Sequence, residues 1–294
     1  MKKAFLQLHI AVFLAGFTAI LGKLIELNEG LLVWYRLLFS ILLIGVVLVW
    51  KKQFKKIEVS DFINIALVGL ILACHWVTFY GSVKYSNASV AVVCLSAAGF
   101  YSSILEPLIL KKKLIYAELG LGILSLLGIY IIFDFHPQYK IGIIFGMLSS
   151  LGSALFPIFN KRLLIKFTPR ILTFYEFTGG LFFLTLLLPF YFVSFKPAYY
   201  LPTQIDLFWL MILTVFCTVM AFDFQLNALR KISAFTSNLT YNLEPLYGIV
   251  LAFVIFNENK LLNSHFYIGL ILIVLAIVLQ MFRVLKIKKV INSV

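Results

Sequence analysis

Acidic residues are scarce in this 294-residue chain: 12 Asp and Glu stand against 25 Lys and Arg, and charged residues total only 13%. A soluble domain carries about 25% charged residues, so a soluble globular body is excluded. Cysteine is also sparse. Cys74, Cys94 and Cys217 lie inside apolar runs and read as small buried residues, not as a disulfide framework. The four histidines, His9, His75, His136 and His265, are scattered, and none forms a His-Glu-x-x-His or comparable cluster. No metal and no other cofactor is therefore expected. There is no Walker-type glycine-rich loop, which argues against ATP-driven pumping by this chain alone.

What the chain has in abundance is apolar surface. Hydrophobic residues make up 62% and aromatics 16%, with a mean hydropathy of +1.03. Runs of roughly 20 apolar residues are what a membrane-spanning helix requires. Ten such runs are predicted, at 4–24, 30–50, 62–83, 87–110, 116–133, 141–165, 171–192, 207–229, 233–256 and 265–284. A spanning β-barrel would instead show short alternating segments. The start, Met1-Lys2-Lys3 and an apolar run to Leu21, lacks a clean small-x-small cleavage site and is read as the first span, not as a signal peptide.

Lys and Arg fix the expected orientation. Nineteen fall in segments on the side of the N-terminus, five on the other side (Lys23, Lys84, Lys140, Lys196 and Lys260), and Arg36 lies inside a span. By the positive-inside rule both termini are cytoplasmic. The net charge of +13 is then a basic fringe facing anionic lipid and calls for no nucleic-acid partner. The expected location is a bacterial-type cytoplasmic (inner) membrane.

The two halves resemble each other. Leu32-Val33-Trp34-Tyr35-Arg36 matches Leu172-Thr173-Phe174-Tyr175-Glu176, and Gly81 to Ala88 matches Asn227 to Ala234. Five spans per half is an odd number, so the second half enters from the opposite side. The expected fold is an all-α integral membrane protein, with residues 1–137 and 138–294 as two inverted five-helix repeats around a central cavity. Secondary transporters share that symmetry and place their substrate site near the midplane, between the repeats.

At these residues the chain resembles the drug/metabolite transporter superfamily, in its EamA-like ten-helix branch. Gly16-Phe17-Thr18-Ala19, Arg36, Trp76 with Phe79-Tyr80, Asn87-Ala88-Ser89, and Ser233-Ala234 through Glu244-Pro245 to Phe256-Asn257-Glu258 carry the likeness. The first half departs from the pattern, with Ala98-Gly99 where a proline is usual and Lys111-Lys112 where an acid is usual. The resemblance implies that helices 1–4 and 6–9 surround the cavity and that 5 and 10 are peripheral.

Polar residues inside spans are costly and are the candidates for function. In the ninth span Ser233, Ser237, Thr240, Glu244 and Tyr247 recur at steps of three or four and form one polar stripe, with Tyr241 and Pro245 beside it. Pro245, inside a continuous helix, would free the Tyr241 carbonyl. The fourth span repeats the design with Ser96, Ser103 and Glu106, and the sixth offers Ser149, Ser153 and Asn160. The substrate-binding candidates are Glu244, His75, Trp76, Phe79, Tyr80, Ser96, Ser153, Thr240, Tyr241 and Tyr247. Glu244, Glu106, Asp223 and Arg36 are the candidates for coupling or charge. Each also has a structural reading: a hydrogen-bonded acid or histidine, a helix-end carboxylate, or a small residue that lets helices approach.

The leading function is a secondary transporter acting as an exporter of small organic metabolites such as amino acids. It would work by alternating access, with proton coupling and facilitated exchange both open, and with monomer and homodimer both open. A membrane-embedded enzyme on lipid-linked substrates is the alternative. It lacks clustered nucleophiles or metal ligands and a loop long enough for a lid, so the chain is not read as an enzyme. A channel-like component is the third reading.

Overall fold

The computed structural model describes residues 2–111, 113–134, 137–231, 240–241 and 243–292. His136, Ser233 and Ser237 lie outside the described residues. Ten apolar helices run in order: α1 (Lys2–Leu24), α2 (Glu29–Trp50), α3 (Val59–Tyr85), α4 (Ala88–Leu110), α5 (Tyr116–Asp134), α6 (Lys140–Leu163), α7 (Pro169–Ser194), α8 (Gln204–Leu229), α9 (Glu244–Phe256) and α10 (Ser264–Asn292). Eight of them are long enough to span a bilayer unaided, and the apolar parts of α5 and α9 are shorter. At 1.5 Å per residue the 22 residues of α2 reach about 33 Å, which matches a hydrocarbon core of about 30 Å.

Helix starts follow local chemistry. The Asn28 side chain accepts from the Gly30 amide at the start of α2, and Asn87 accepts from Val90 at the start of α4. Thr203 and Asp206 form a reciprocal capping box at the start of α8. The long apolar segments are nonetheless interrupted. Phe17 separates Lys2–Gly16 from Thr18–Leu24 in α1, and Ser96 and Ala97 separate Ala88–Leu95 from Ala98–Leu110 in α4. In α8 the turn Val215–Met220 is a π-helix.

The inversion is visible in element geometry. Arg36 is the eighth residue of α2 and Glu176 the eighth residue of α7. These helices start at opposite ends of the molecule, so the matched residues lie at opposite depths. The second half of α4, Ala98–Leu110, and α9, Glu244–Phe256, are both 13 residues long. Both end on a left-handed residue, Lys111 and Asn257, each with φ 52°. Under the register that pairs Asn87 with Ser233, Ala98 corresponds to Glu244 and Lys111 to Asn257.

This corrects one expectation. Glu244 is not inside a continuous helix over 233–256: it opens α9, after a turn at Leu243. Pro245 occupies the first helical turn, where a missing N–H breaks no bond within α9. The carboxylate instead sits at the positive end of the helix dipole. Twelve residues separate it from Phe256, about 18 Å along the axis, so it remains deep in the apolar layer.

Helices α3, α6 and α7 cross closely. A Cβ on Gly69 of α3 would collide with the Glu176 carbonyl of α7, and one on Gly152 of α6 would lie 2.8 Å from the His75 Cβ. Small residues here let backbones touch, which is how helices associate where lipid removes the hydrophobic incentive.

Candidate functional site

Within this frame lies a cavity of about 210 Å³. Its lining comes from the middle of α1 (Ala15, Thr18), Arg36 of α2, and His75, Trp76 and Phe79 of α3. The break in α4 adds Ser96, and its second part adds Ser102, Ser103 and Glu106. Ser153 and Phe156 of α6, Phe222 and Gln225 of α8, and Tyr241 and Glu244 also line it. These positions run from mid-depth toward the end where the chain termini lie. At the opposite end Val90 to Cys94 of α4 and Gly248, Ile249 and Ala252 of α9 are buried, and Gly248 packs directly on Val92. The chamber is thus closed at one end and extends toward the other.

Arg36 is the most constrained polar side chain. It is 2% exposed. Its Nε donates to the Thr218 hydroxyl at 2.7 Å, Nη1 to the Tyr80 hydroxyl at 2.8 Å, and Nη2 to the Cys217 carbonyl at 3.3 Å. Its guanidinium carbon lies 3.6 Å from the centre of the Trp76 ring, a cation–π contact worth about 2 kcal/mol when desolvated. The π-turn of α8 explains the acceptors: it holds Cys217 and Thr218 and breaks the regular i→i−4 ladder there. The Thr218 hydroxyl in turn donates to the Leu213 carbonyl five residues back. Among the described residues, none of the ion pairs includes Arg36.

His75 is held through Nδ1, which lies 2.8 Å from both the carbonyl and the hydroxyl oxygen of Ser149, while that hydroxyl donates to the His75 carbonyl. The protonation consistent with all three contacts is Nδ1–H, which leaves Nε2 as the acceptor. The ring is therefore both tied to α6 and part of the cavity wall. Phe79 packs 6.4 Å from it, centre to centre.

The expected site residues divide. Glu244, His75, Trp76, Phe79, Ser96, Ser153, Tyr241, Glu106 and Arg36 share the cavity wall. Tyr80 does not reach it: the ring is fully buried against Gly22 and braces Arg36 from behind. Thr240 and Tyr247 are not part of the lining, and Tyr247 packs on Gly16 and Phe13. Asp223 lies apart, paired with Arg170 of α7 through two contacts at 2.9 and 3.2 Å. Glu176 and Asn160 are fully buried away from the cavity.

The lining also includes residues that patterning passed over. Glu118, Gly122 and Ser125 of α5 and Ala276, Ile277 and Gln280 of α10 form part of the wall toward the termini, so these helices are not merely peripheral. Arg283 of α10 pairs with Glu118 at 3.1 Å. A single Gln in an apolar run was the available signal. No residue of α7 lines the chamber.

A model of the EamA-like transporter family matches residues 2–134 and again residues 140–282. An uncharacterized transporter of Clostridium kluyveri is 22% identical over 95% of this chain and 93% of its own length. The uncharacterized transporter YetK of Bacillus subtilis is 26% identical over 87% of this chain and 80% of its own. A protein crystal structure superposes with a TM-score of 0.64 over 94% of this chain and 96% of that one, at 14% identity.

Proposed function

Because the chain belongs to the EamA-like transporter family and is a multi-pass membrane transporter, we propose that it exports small zwitterionic metabolites of the amino-acid class by proton-coupled alternating access. The observation that carries this reading is one chamber lined by both a cation and an acid that form no direct ion pair with each other. Arg36 and Glu244 both line it, and neither belongs to an ion pair among the described residues. A zwitterion supplies the missing partners, a carboxylate for the guanidinium and an ammonium for the carboxylate. A volume of about 210 Å³ falls below the 300–1,000 Å³ of pockets for drug-sized ligands and suits a small metabolite.

The other roles follow from placement. The Nε2 of His75 is the ring nitrogen left to accept a hydrogen bond from the ligand. Trp76 fixes Arg36, and Phe79 and Tyr241 shape the apolar side of the pocket. A proton and an arriving ammonium group then compete for the one Glu244 carboxylate, which couples the two fluxes. The chain sits in a bacterial inner membrane with cytoplasmic termini, in line with the Lys and Arg bias. The chamber then extends toward the cytoplasm, the side from which an exporter loads. Residues 1–137 and 138–294 act as the two rocking halves, a division supported by the double match to the family model.

Counterflow in proteoliposomes tests the proposal. Vesicles loaded with unlabelled amino acids should accumulate the same labelled compound, and a pH gradient should drive net flux. Uptake of sugars or neutral amides with no response to amino acids would overturn the substrate class. Flux indifferent to the gradient would replace coupling with facilitated exchange.

A further inference from the structure

The closed end of the chamber is fastened by one carboxylate. Glu258 lies in the 3₁₀ turn Glu258–Leu261, directly after α9, and is fully buried. Its Oε1 accepts from Lys23 Nζ at 2.8 Å and from the Ala88 amide at 3.2 Å. Its Oε2 accepts from the Ser89 amide at 2.9 Å and the Ser89 hydroxyl at 2.6 Å. Lys23 also lies 4.3 Å from the Phe256 ring centre. One side chain thus joins the end of α1, the start of α4 and the turn between α9 and α10. Anions bind well at a helix N-terminus, and such charge-assisted bonds are about twice as strong as neutral ones.

The inverted repeat dictates what the mirror-image fastening would contain. The register that pairs Lys111 with Asn257 pairs Lys112 with Glu258 and Phe235 with Ser89, and Lys161 corresponds to Lys23. The sequence therefore supplies Lys where the carboxylate should be, Lys again where its cationic partner should be, and no hydroxyl.

We propose that Glu258 is the latch of the end remote from the termini, that the repeat-related sequence position at the other end, Lys112, supplies no matching carboxylate, and that the transporter therefore rests with its chamber open toward its termini. This rests on the alternating-access reading above. Alternating access makes the two ends exclusive, so a carboxylate latch that strengthens one end biases the resting state without any ligand. The expected return to that state after each cycle comes from the recapture of Glu258 by Ser89 and Lys23.

Paired spin labels in lipid, in a background without the native cysteines, test the latch. One pair is placed at 26 and 260, both exposed at the latched end, and a second at 113 and 231, both exposed at the other end. Glu258→Gln should raise the population with the first pair farther apart and the second pair closer together, on the order of tenfold, from a minor state of 0.1–10%. Ser89→Ala should shift both pairs the same way by a smaller factor, which keeps the test alive if the first variant folds poorly. Unchanged distances in both variants would overturn the proposal. So would a lengthened first pair with an unmoved second pair, because that is local loosening. Flux of the wild-type protein is measured separately, so failure of the latch is distinct from failure of the transport reading.

Discussion

At the residue scale, Arg36 and Glu244 carry opposite burdens. Arg36 is built into the wall by three hydrogen bonds and a ring face. A lysine has neither the planar fork nor the stacking surface to replace it. Arg36→Lys is therefore expected to cut transport at least tenfold and to lower thermal stability, measured by counterflow and by melting in detergent. Equal transport with an unchanged melting temperature would show that the network has no role. Glu244→Gln keeps shape and hydrogen bonding while removing the charge. Since the acid opens α9 on the cavity wall, the variant should fold normally, lose more than tenfold in net flux, and show a flattened pH dependence. Wild-type flux with an intact pH profile would make Glu244 a structural acid. Trp76 is 5% exposed and wedged against Phe177 and Phe222 as well as Arg36. Trp76→Ala should thus cost about 3–5 kcal/mol of stability, and its effect on affinity should be indirect. Trp76 and Tyr80, both named as substrate-binding candidates, thus also support Arg36.

At the scale of the element, the spans were legible because each demands a long apolar run, and nearly every boundary fell within a few residues of the expected one. The interruptions were not. The breaks at Phe17, at Ser96 and Ala97, and at Leu243, and the π-turn over Val215–Met220, interrupt runs whose apolar pattern continues through them. The α8 turn illustrates this: its purpose is visible only once Arg36, some 180 positions earlier, is seen donating to Cys217 and Thr218. The candidate site was legible where a polar residue stood alone in an apolar span, as with Glu244, His75 and Arg36. It was illegible where the polar residue sat near a span end, as with Glu118 and Gln280, because such positions usually face water. Close helix approach gives a direct test. Gly152→Leu forces a side chain into the His75 backbone region of α3, and overpacking of this kind costs about 1–3 kcal/mol. The melting temperature should fall while Ser153→Ala, one residue along on the cavity wall, leaves it unchanged. Equal stability of the two variants would show that α3 and α6 are not in contact there.

For the whole molecule, the arrangement is a ten-helix body closed at one end and entered from the other. A cysteine at position 102, on the cavity wall, should react with an impermeant thiol reagent only from the side of the termini. A cysteine at position 53, in the loop after α2, should share that sidedness, and one at position 92, buried against Gly248, should resist from both sides. Reaction at 102 from the opposite face would reverse the assigned opening. The absence of α7 from the chamber wall has a consequence in genetics. A selection for resistance to a toxic analogue of the substrate would draw altered-specificity alleles from every helix that meets the ligand space. Alleles in α7, which buries Glu176 and abuts Gly69 of α3, would surface instead as temperature-sensitive variants with unaltered preference among substrates. The distribution of such alleles along the gene would trace the wall of the chamber, with a silent interval between codons 169 and 194.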